Sequence, residues 1–344
     1  MNQAAYTNPD IVVWEVTLRC NLKCLHCGSS AGNIREDELT TKEALQLCDD
    51  LADLRFKGVA LMGGEVFLRK DWKLLAKRIK NRGMKLSIIS NGFFDPKNII
   101  PDLVSIGADC VMVGFDGASP ETQDKIRGVN GSFEKAVSFV RAAKEAGLMI
   151  GVITTVHKLN FNELPAIRDF VLAEEVDWQI QPATVIGRFP KKLVLSEKEY
   201  YALGIFIHSL QKKHAEKPFT IVGAHNLGFH SQRIPPLSFY PEWNGCYAGK
   251  TVLGIQSNGN VKGCLAMSDK FIEGNIRKRS IIEIWNDPNA FAYNRTFKIE
   301  HLGENCKNCK YGETCKGGCT TRSDTLTGKT HNDPLCFFRF ENNM

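Results

Sequence analysis

The chain has 344 residues, 43% hydrophobic and 24% charged, with 44 basic against 38 acidic side chains and a net charge of +6. This is globular composition with room for one large and one small domain, and the basic residues are scattered rather than gathered in runs, which argues against a nucleic-acid partner. There is no apolar run of about 18 residues and no basic-then-apolar leader, so neither a membrane span nor a secretory signal is expected, and the expected location is the cytoplasm.

Short β-branched runs alternate with amphipathic stretches over the first half of the chain. Strands are predicted over residues 11–18, 58–63, 84–90, 109–115, 148–156 and 177–183. Thr40 and Glu43 read as a capping box ahead of Ala44, Leu47, Cys48, Leu51 and Leu54 at helical spacing. Gly83 ends the next helix, and Ser132 with Glu134 opens one that stops at Gly147. A further helix starts at Ser196 and runs through Leu210. Each helix leads back into a strand, so a parallel sheet curved into a partial (β/α)6 barrel is expected, with its chemistry at the C-terminal ends of the strands. After about residue 216 strands shorten, Gly and Asn become common, and seven of the twelve cysteines appear. The expected division is 1–215 for the barrel and 216–344 for a linker and a Cys-rich domain.

The first chemical signal follows the first strand, where Cys20, Cys24 and Cys27 stand in the spacing C-x3-C-x2-C. Three thiolates on one tight loop can hold three irons of a [4Fe–4S] cluster and leave the fourth open. A zinc loop is the rival reading, but no fourth Cys or suitably spaced His completes it, and His26 between Cys24 and Cys27 would point away from them. Gly63-Gly64-Glu65 closes the second strand, Ser90-Asn91-Gly92 the third and Phe115-Asp116-Gly117 the fourth. Arg127 follows, with a surface helix-end arginine as its plain alternative. On the sixth strand, alternation puts Gln179 and Gln181 on the face opposite Trp178 and Ile180. They are a ligand contact or a polar layer inside the barrel. Near the C-terminus Cys246 is followed after twelve residues by Gly259 and after four more by Cys264. Then come Cys306-x2-Cys309-x5-Cys315-x3-Cys319 and a final Cys336. Zinc ribbons also use C-x2-C pairs, but seven thiolates do not divide into closed four-thiolate sites. Cys48 and Cys110 are left over as core residues. His225 and His230, five apart, are either functional or packed.

These motifs resemble the radical S-adenosylmethionine (SAM) superfamily, and the C-terminal spacing resembles its SPASM extension. The resemblance covers essentially the whole chain. It implies a cluster held by Cys20, Cys24 and Cys27, with SAM contacts at Gly63, Gly64, Glu65, Asn91, Asp116, Arg127, Gln179 and Gln181. It also implies two auxiliary [4Fe–4S] clusters, one on Cys246, Cys264 and Cys319 and one on Cys306, Cys309, Cys315 and Cys336, making three in all. The chain departs from the family pattern at Val66, where Pro is usual, at Gly114, where Ser is frequent, and at Gln123-Asp124, where His-Asp is frequent. The implied activity is oxidative modification of a ribosomally made peptide through a 5′-deoxyadenosyl radical, by crosslinking or residue excision. About ten residues precede the first strand, so a separate leader-recognition protein is expected, together with a reducing partner such as flavodoxin or ferredoxin. The alternatives are oxidation of a Ser or Cys on a protein, as in sulfatase maturation, and radical chemistry on a sugar or haem precursor. An iron–sulfur electron carrier would have no use for the Gly63–Glu65 and Arg127 set.

Overall fold

The computed structural model describes residues 9–224, 226–239 and 242–343. Seven parallel strands form its frame: β1 (Ile11–Thr17), β2 (Gly58–Gly63), β3 (Lys85–Ser90), β4 (Cys110–Gly114), β5 (Ile150–Val156), β6 (Asp177–Pro182) and β7 (Ile221–Gly223). Between them run α1 (Thr41–Asp53), α2 (Trp72–Asn81), α3 (Ile100–Ile106), α4 (Pro120–Arg127), α5 (Ser132–Glu145), α6 (Leu164–Glu174) and α7 (Glu197–Lys213). The C-terminal region adds β8 (Val252–Ile255), β9 (Asn260–Lys262) and β10 (Gly274–Asn275). It also adds short helices α8 (Ile281–Asn286), α9 (Ala292–Arg295), α10 (Gly312–Cys315), α11 (Thr320–Thr327) and α12 (Phe337–Asn342).

The sheet runs β10-β9-β8-β1-β2-β3-β4-β5-β6-β7, an open, mixed α/β sheet among the described residues. The six predicted strands all form, within two residues of their expected ends. The sequence did not reveal that both edges come from the C-terminal region. β7 extends β6, and β8 pairs in parallel with β1, Ile11 opposite Val252 and Trp14 opposite Ile255.

Helix starts follow local chemistry. The Thr40 hydroxyl accepts the Glu43 N–H at 3.3 Å while the Glu43 carboxylate accepts the Thr40 N–H at 2.8 Å, the reciprocal pairing of a capping box. Ser196 and Glu199 repeat it at α7. Ser132 begins α5 but does not cap it. Gly131 stands at the cap in the left-handed region (φ 79°), and the Ser132 hydroxyl donates to Asp124 at 2.7 Å. The short α3 carries a proline in its first turn, where a missing N–H costs nothing.

Val12, Trp14, Leu61, Ile88, Val113, Val152 and Ile180 fill the core between sheet and helices. Trp178 and Ile180 are buried while Gln179 and Gln181 are half-buried, as alternation requires. Cys48 is core, but Cys110 is not: it opens β4 beside Asp109 and Asp177, where the strand end is only half-covered.

Candidate functional site

The C-terminal ends of the parallel strands converge on the loop that bears Cys20, Cys24 and Cys27. Three attachments hold that loop. On one side the Gly64 N–H donates to the Thr17 carbonyl at 2.7 Å and the Glu65 N–H to the Arg19 carbonyl at 2.8 Å. A Cβ on Gly64 would lie 2.2 Å from the Arg19 oxygen, so only glycine lets the two loops pack this closely. On the other side, Lys23 and Leu25 donate their N–H groups to the carbonyls of Arg127 and Ile126 at the end of α4. Arg188, which the sequence did not single out, clamps the loop from above: its N–H donates to Cys27 O, and its guanidinium to Cys24 O at 3.2 Å and Ala31 O at 2.7 Å.

Donors point at all three sulfurs. The Ala31 N–H lies 3.2 Å from Cys27 Sγ and the Leu22 N–H 3.5 Å from Cys20 Sγ. Asn91 Nδ2 approaches Cys20 Sγ at 3.8 Å and Arg127 Nη1 approaches Cys24 Sγ at 3.9 Å. Burial pushes the Cys20 thiol up to about 11, so its thiolate needs a cation or donors beside it. This donor set fits an anionic iron–sulfur cluster.

Around the loop, Glu65 has no exposed surface. Its carboxylate accepts from Asn91 N–H (2.8 Å), Phe67 N–H (3.2 Å) and the Ser90 hydroxyl (3.0 Å), tying the end of β2 to the end of β3. The side chain is thus committed to positioning Asn91. Burial raises its pKa to about 7.

Asp116 is also wholly buried, and its Oδ2 lies 2.6 Å from Arg127 Nη2 and 3.3 Å from His26 Nε2. Burial alone would raise its pKa, but the Arg127 cation and His26 hold it below the ordinary carboxylate value. His26 has its pKa lowered to about 4 by burial, so it is neutral at pH 7. A Cβ at Gly114 would lie 2.1 Å from Arg127 Nη2, so the glycine found where relatives often have Ser makes room for this ion pair. Gln123 replaces the frequent His by accepting the Asp116 and Gly117 N–H groups at 2.7 and 2.9 Å.

His157 follows β5 directly and is fully buried, its ring centre 6.0 Å from that of His26. Its place one residue beyond a parallel strand was the only clue the sequence held. Gln179 Nε2 reaches Gln181 Oε1 at 3.5 Å, and Gln181 Nε2 donates to the Thr155 hydroxyl at 3.0 Å.

The seven C-terminal cysteines fall into two groups. Cys306, Cys309, Cys315 and Cys336 line one cavity of about 310 Å³ with Asn305, Asp333 and Phe338. Cys246 lies near both Cys264 and Cys319. Among the described residues, no group of three or more His, Cys, Asp or Glu side chains is arranged to hold a single metal ion. A cavity walled by four thiols fits a multi-iron cluster instead. His230 stacks on Tyr311 at 4.3 Å beside this group; His225 lies outside the described residues.

Two family patterns match the chain. The pattern of the Radical SAM superfamily matches residues 14–171, and that of the SPASM iron–sulfur cluster-binding domain matches residues 246–310. The chain is 31% identical to Fe-coproporphyrin III synthase of Methanosarcina barkeri, over 96% of this chain and 88% of that protein. It is 27% identical to mycofactocin maturase MftC of Mycobacterium ulcerans, over 90% of this chain and 83% of that protein. Among solved structures, Streptococcus suis SuiB bound to S-adenosylmethionine superposes with a TM-score of 0.76 at 18% identity, over 96% of this chain and 76% of that one, which is a likeness of fold. No helix among the described residues is long and apolar enough to cross a membrane.

Proposed function

The chain belongs to the radical SAM superfamily, in the branch that carries a SPASM domain, and from that premise we propose a three-cluster oxidoreductase. The carrying observation is the separation of the thiols: three on the loop after β1 with N–H donors at their sulfurs, and four around one cavity in the C-terminal region, with Cys246, Cys264 and Cys319 near one another outside it. Cys20, Cys24 and Cys27 would hold the cluster at the strand ends. Cys246, Cys264 and Cys319 would hold one auxiliary cluster, and Cys306, Cys309, Cys315 and Cys336 the other. When bound, the first cluster with SAM supplies a 5′-deoxyadenosyl radical that takes a hydrogen atom from substrate.

The chain's own residues bind and orient. Gly63 and Gly64 would offer backbone carbonyls to the SAM amino group, Asn91 is fixed by Glu65, and Arg127 with Asp116 would offer a buried charge pair to the SAM carboxylate and ribose. Gln179 and Gln181 line the inner face of β6 toward the same space. The C-terminal thiols would hold groups able to accept the electron released when the substrate radical is oxidised, and an external one-electron donor such as flavodoxin or ferredoxin would supply the electron that SAM cleavage consumes.

Two substrate readings each have an observation behind them. An iron–tetrapyrrole precursor is favoured by the 31% likeness to Fe-coproporphyrin III synthase over nearly the whole of both chains. A ribosomally made peptide is the reading that the likeness to a maturase, mycofactocin maturase MftC, supports, and a separate recognition protein would then present it. The peptide reading expected from the motifs therefore stands beside the tetrapyrrole one rather than ahead of it. The test is anaerobic incubation of the reconstituted enzyme with SAM, a reductant and each candidate: a haem-pathway tetrapyrrole, and peptides encoded beside the gene. Mass change in one and not the other decides between them. SAM left intact under all conditions overturns the reaction class.

A further inference from the structure

Arg322 and Asp333 form a deeply buried ion pair outside the strand-end site, each side chain 1% exposed. The reaction as described makes no use of them. Arg322 Nε lies 2.8 and 3.0 Å from the two carboxylate oxygens of Asp333, and Arg322 Nη2 donates to the Leu335 carbonyl at 2.9 Å. The pair touches both auxiliary groups of thiols. Asp333 accepts the Cys319 N–H at 3.1 Å and the Leu335 N–H, next to Cys336, at 3.0 Å. The backbone carbonyl of Asp333 faces Cys306 Sγ at 4.0 Å. The guanidinium lies between two rings, 4.8 Å from the centre of Tyr200 on α7 and 5.3 Å from that of Phe229.

A buried ion pair of this kind is a poor source of stability, because desolvation offsets most of the attraction. Here the compensation is incomplete: Arg322 Nη1 is buried and makes no hydrogen bond of good geometry, with only the Tyr200 side chain beside the guanidinium on that face. An arginine held by two aromatic faces, one carboxylate and one carbonyl, with a spare N–H, suits an anion beside it. Cys319 stands directly before α11, the helix that carries Arg322, and its N–H is held at 3.1 Å by the same Asp333 carboxylate, so one of the thiols assigned to an auxiliary cluster belongs to the same buried set as the guanidinium.

We propose that Arg322, oriented by Asp333, is a positioning residue that raises the reduction potential of the auxiliary cluster held by Cys246, Cys264 and Cys319. Reduction adds one electron, and so one negative charge, to that cluster. A fixed cation beside one of its thiolates favours the reduced form, and hydrogen bonds to sulfur act in the same direction. Asp333 opposes the effect with its own charge while holding the guanidinium in place. The consequence is directional: a cluster able to accept the electron released by the substrate. This inference rests on the three-cluster reading above.

The test is an EPR-monitored redox titration with dithionite, on the full-length anaerobically reconstituted protein. Wild type is compared with Arg322→Gln, Arg322→Lys and Asp333→Asn, with iron content measured in each. Arg322→Gln should lower one auxiliary midpoint by at least a tenfold change in the electron-transfer equilibrium, which is about 59 mV for one electron. Asp333→Asn should raise the same midpoint, and Arg322→Lys should keep it near wild type. The cluster whose signal responds to SAM should not move.

Opposite shifts from the two members of one pair are the electrostatic signature, since a purely structural strut would shift both variants the same way or empty the site. Unmoved midpoints, parallel shifts, or loss of auxiliary iron in all three variants overturn the proposal. If wild type itself holds no iron–sulfur signals, the cluster reading falls first.

Discussion

Two buried carboxylates at the strand ends respond oppositely to burial. Asp116 has a cation at 2.6 Å and stays ionised, whereas Glu65 has only neutral N–H and O–H donors, and desolvation moves it to about 7. In an unfolded chain Glu65 titrates near 4.5, so between 4.5 and 7 the folded protein holds a proton that the unfolded chain has released. Its contribution to stability is therefore full below pH 4.5 and declines as pH rises to about 7. Comparing thermal midpoints of wild type and Glu65→Gln across that window should show the wild-type advantage shrinking with rising pH; a constant difference counts against the buried-acid account. Arg127 serves both Asp116 and Cys24. Replacing it by Ala leaves Asp116 as a lone buried charge, which costs about 3–5 kcal/mol. The loss of one charge-assisted contact, about 1.5–3 kcal/mol, should also weaken SAM binding roughly ten- to a hundredfold. Equilibrium dialysis of the reconstituted variant reads the affinity, and an unchanged value with clusters intact would return Arg127 to a structural role.

At the scale of elements, the turn after β2 and the thiol loop after β1 behave as one unit. Their contact is backbone to backbone, so side-chain identity matters little and the absence of side chains matters greatly. This explains why Val66 can stand where relatives have proline: the turn is held by the N–H groups of Gly64 and Glu65, not by the residue that follows. Gly64→Ala should push the Arg19 carbonyl away and loosen the loop. The expected outcome is loss of about a third of the iron, the share of one cluster in three, with the auxiliary signals retained. Retention of full iron and SAM cleavage in a folded Gly64→Ala protein would show that the loop can give way cheaply.

For the molecule as a whole, the strand that covers the β1 edge among the described residues is β8. A fragment ending at residue 215 would expose the β1 edge from Ile11 to Trp14 and lose β7 from the other side. It should be insoluble or aggregate when expressed alone, as judged by size-exclusion chromatography; a soluble monomer with near-native circular dichroism would mean that the barrel needs no C-terminal strands. The auxiliary thiols should matter for product and not for SAM cleavage. Replacing Cys306 and Cys309 by Ala removes two walls of the four-thiol cavity. The soluble variant should hold about eight irons and still form 5′-deoxyadenosine without oxidising substrate. Full product from such a variant would make that cluster structural.

The amino-acid sequence by itself determined what depends on short stretches of covalent chain: the six strand–helix units, the capping boxes, the C-x3-C-x2-C loop and the seven-cysteine spacing. Ligands for a compact cluster must lie close together, so their spacing stays visible in one dimension, and hydrophobic periodicity exposes each strand and helix locally. Tertiary structure alone decided which groups share a buried volume. Nothing near Trp14 announces Ile255 as its neighbour, and nothing near Cys24 announces Arg127 or Arg188. His26 reads as a spacer between two cysteines until β4 brings Asp116 beneath it. Arg322 and Asp333 are eleven residues apart and read as ordinary surface charges. Burial makes them a pair, because a charge removed from water must find its counter-charge wherever the fold has placed it.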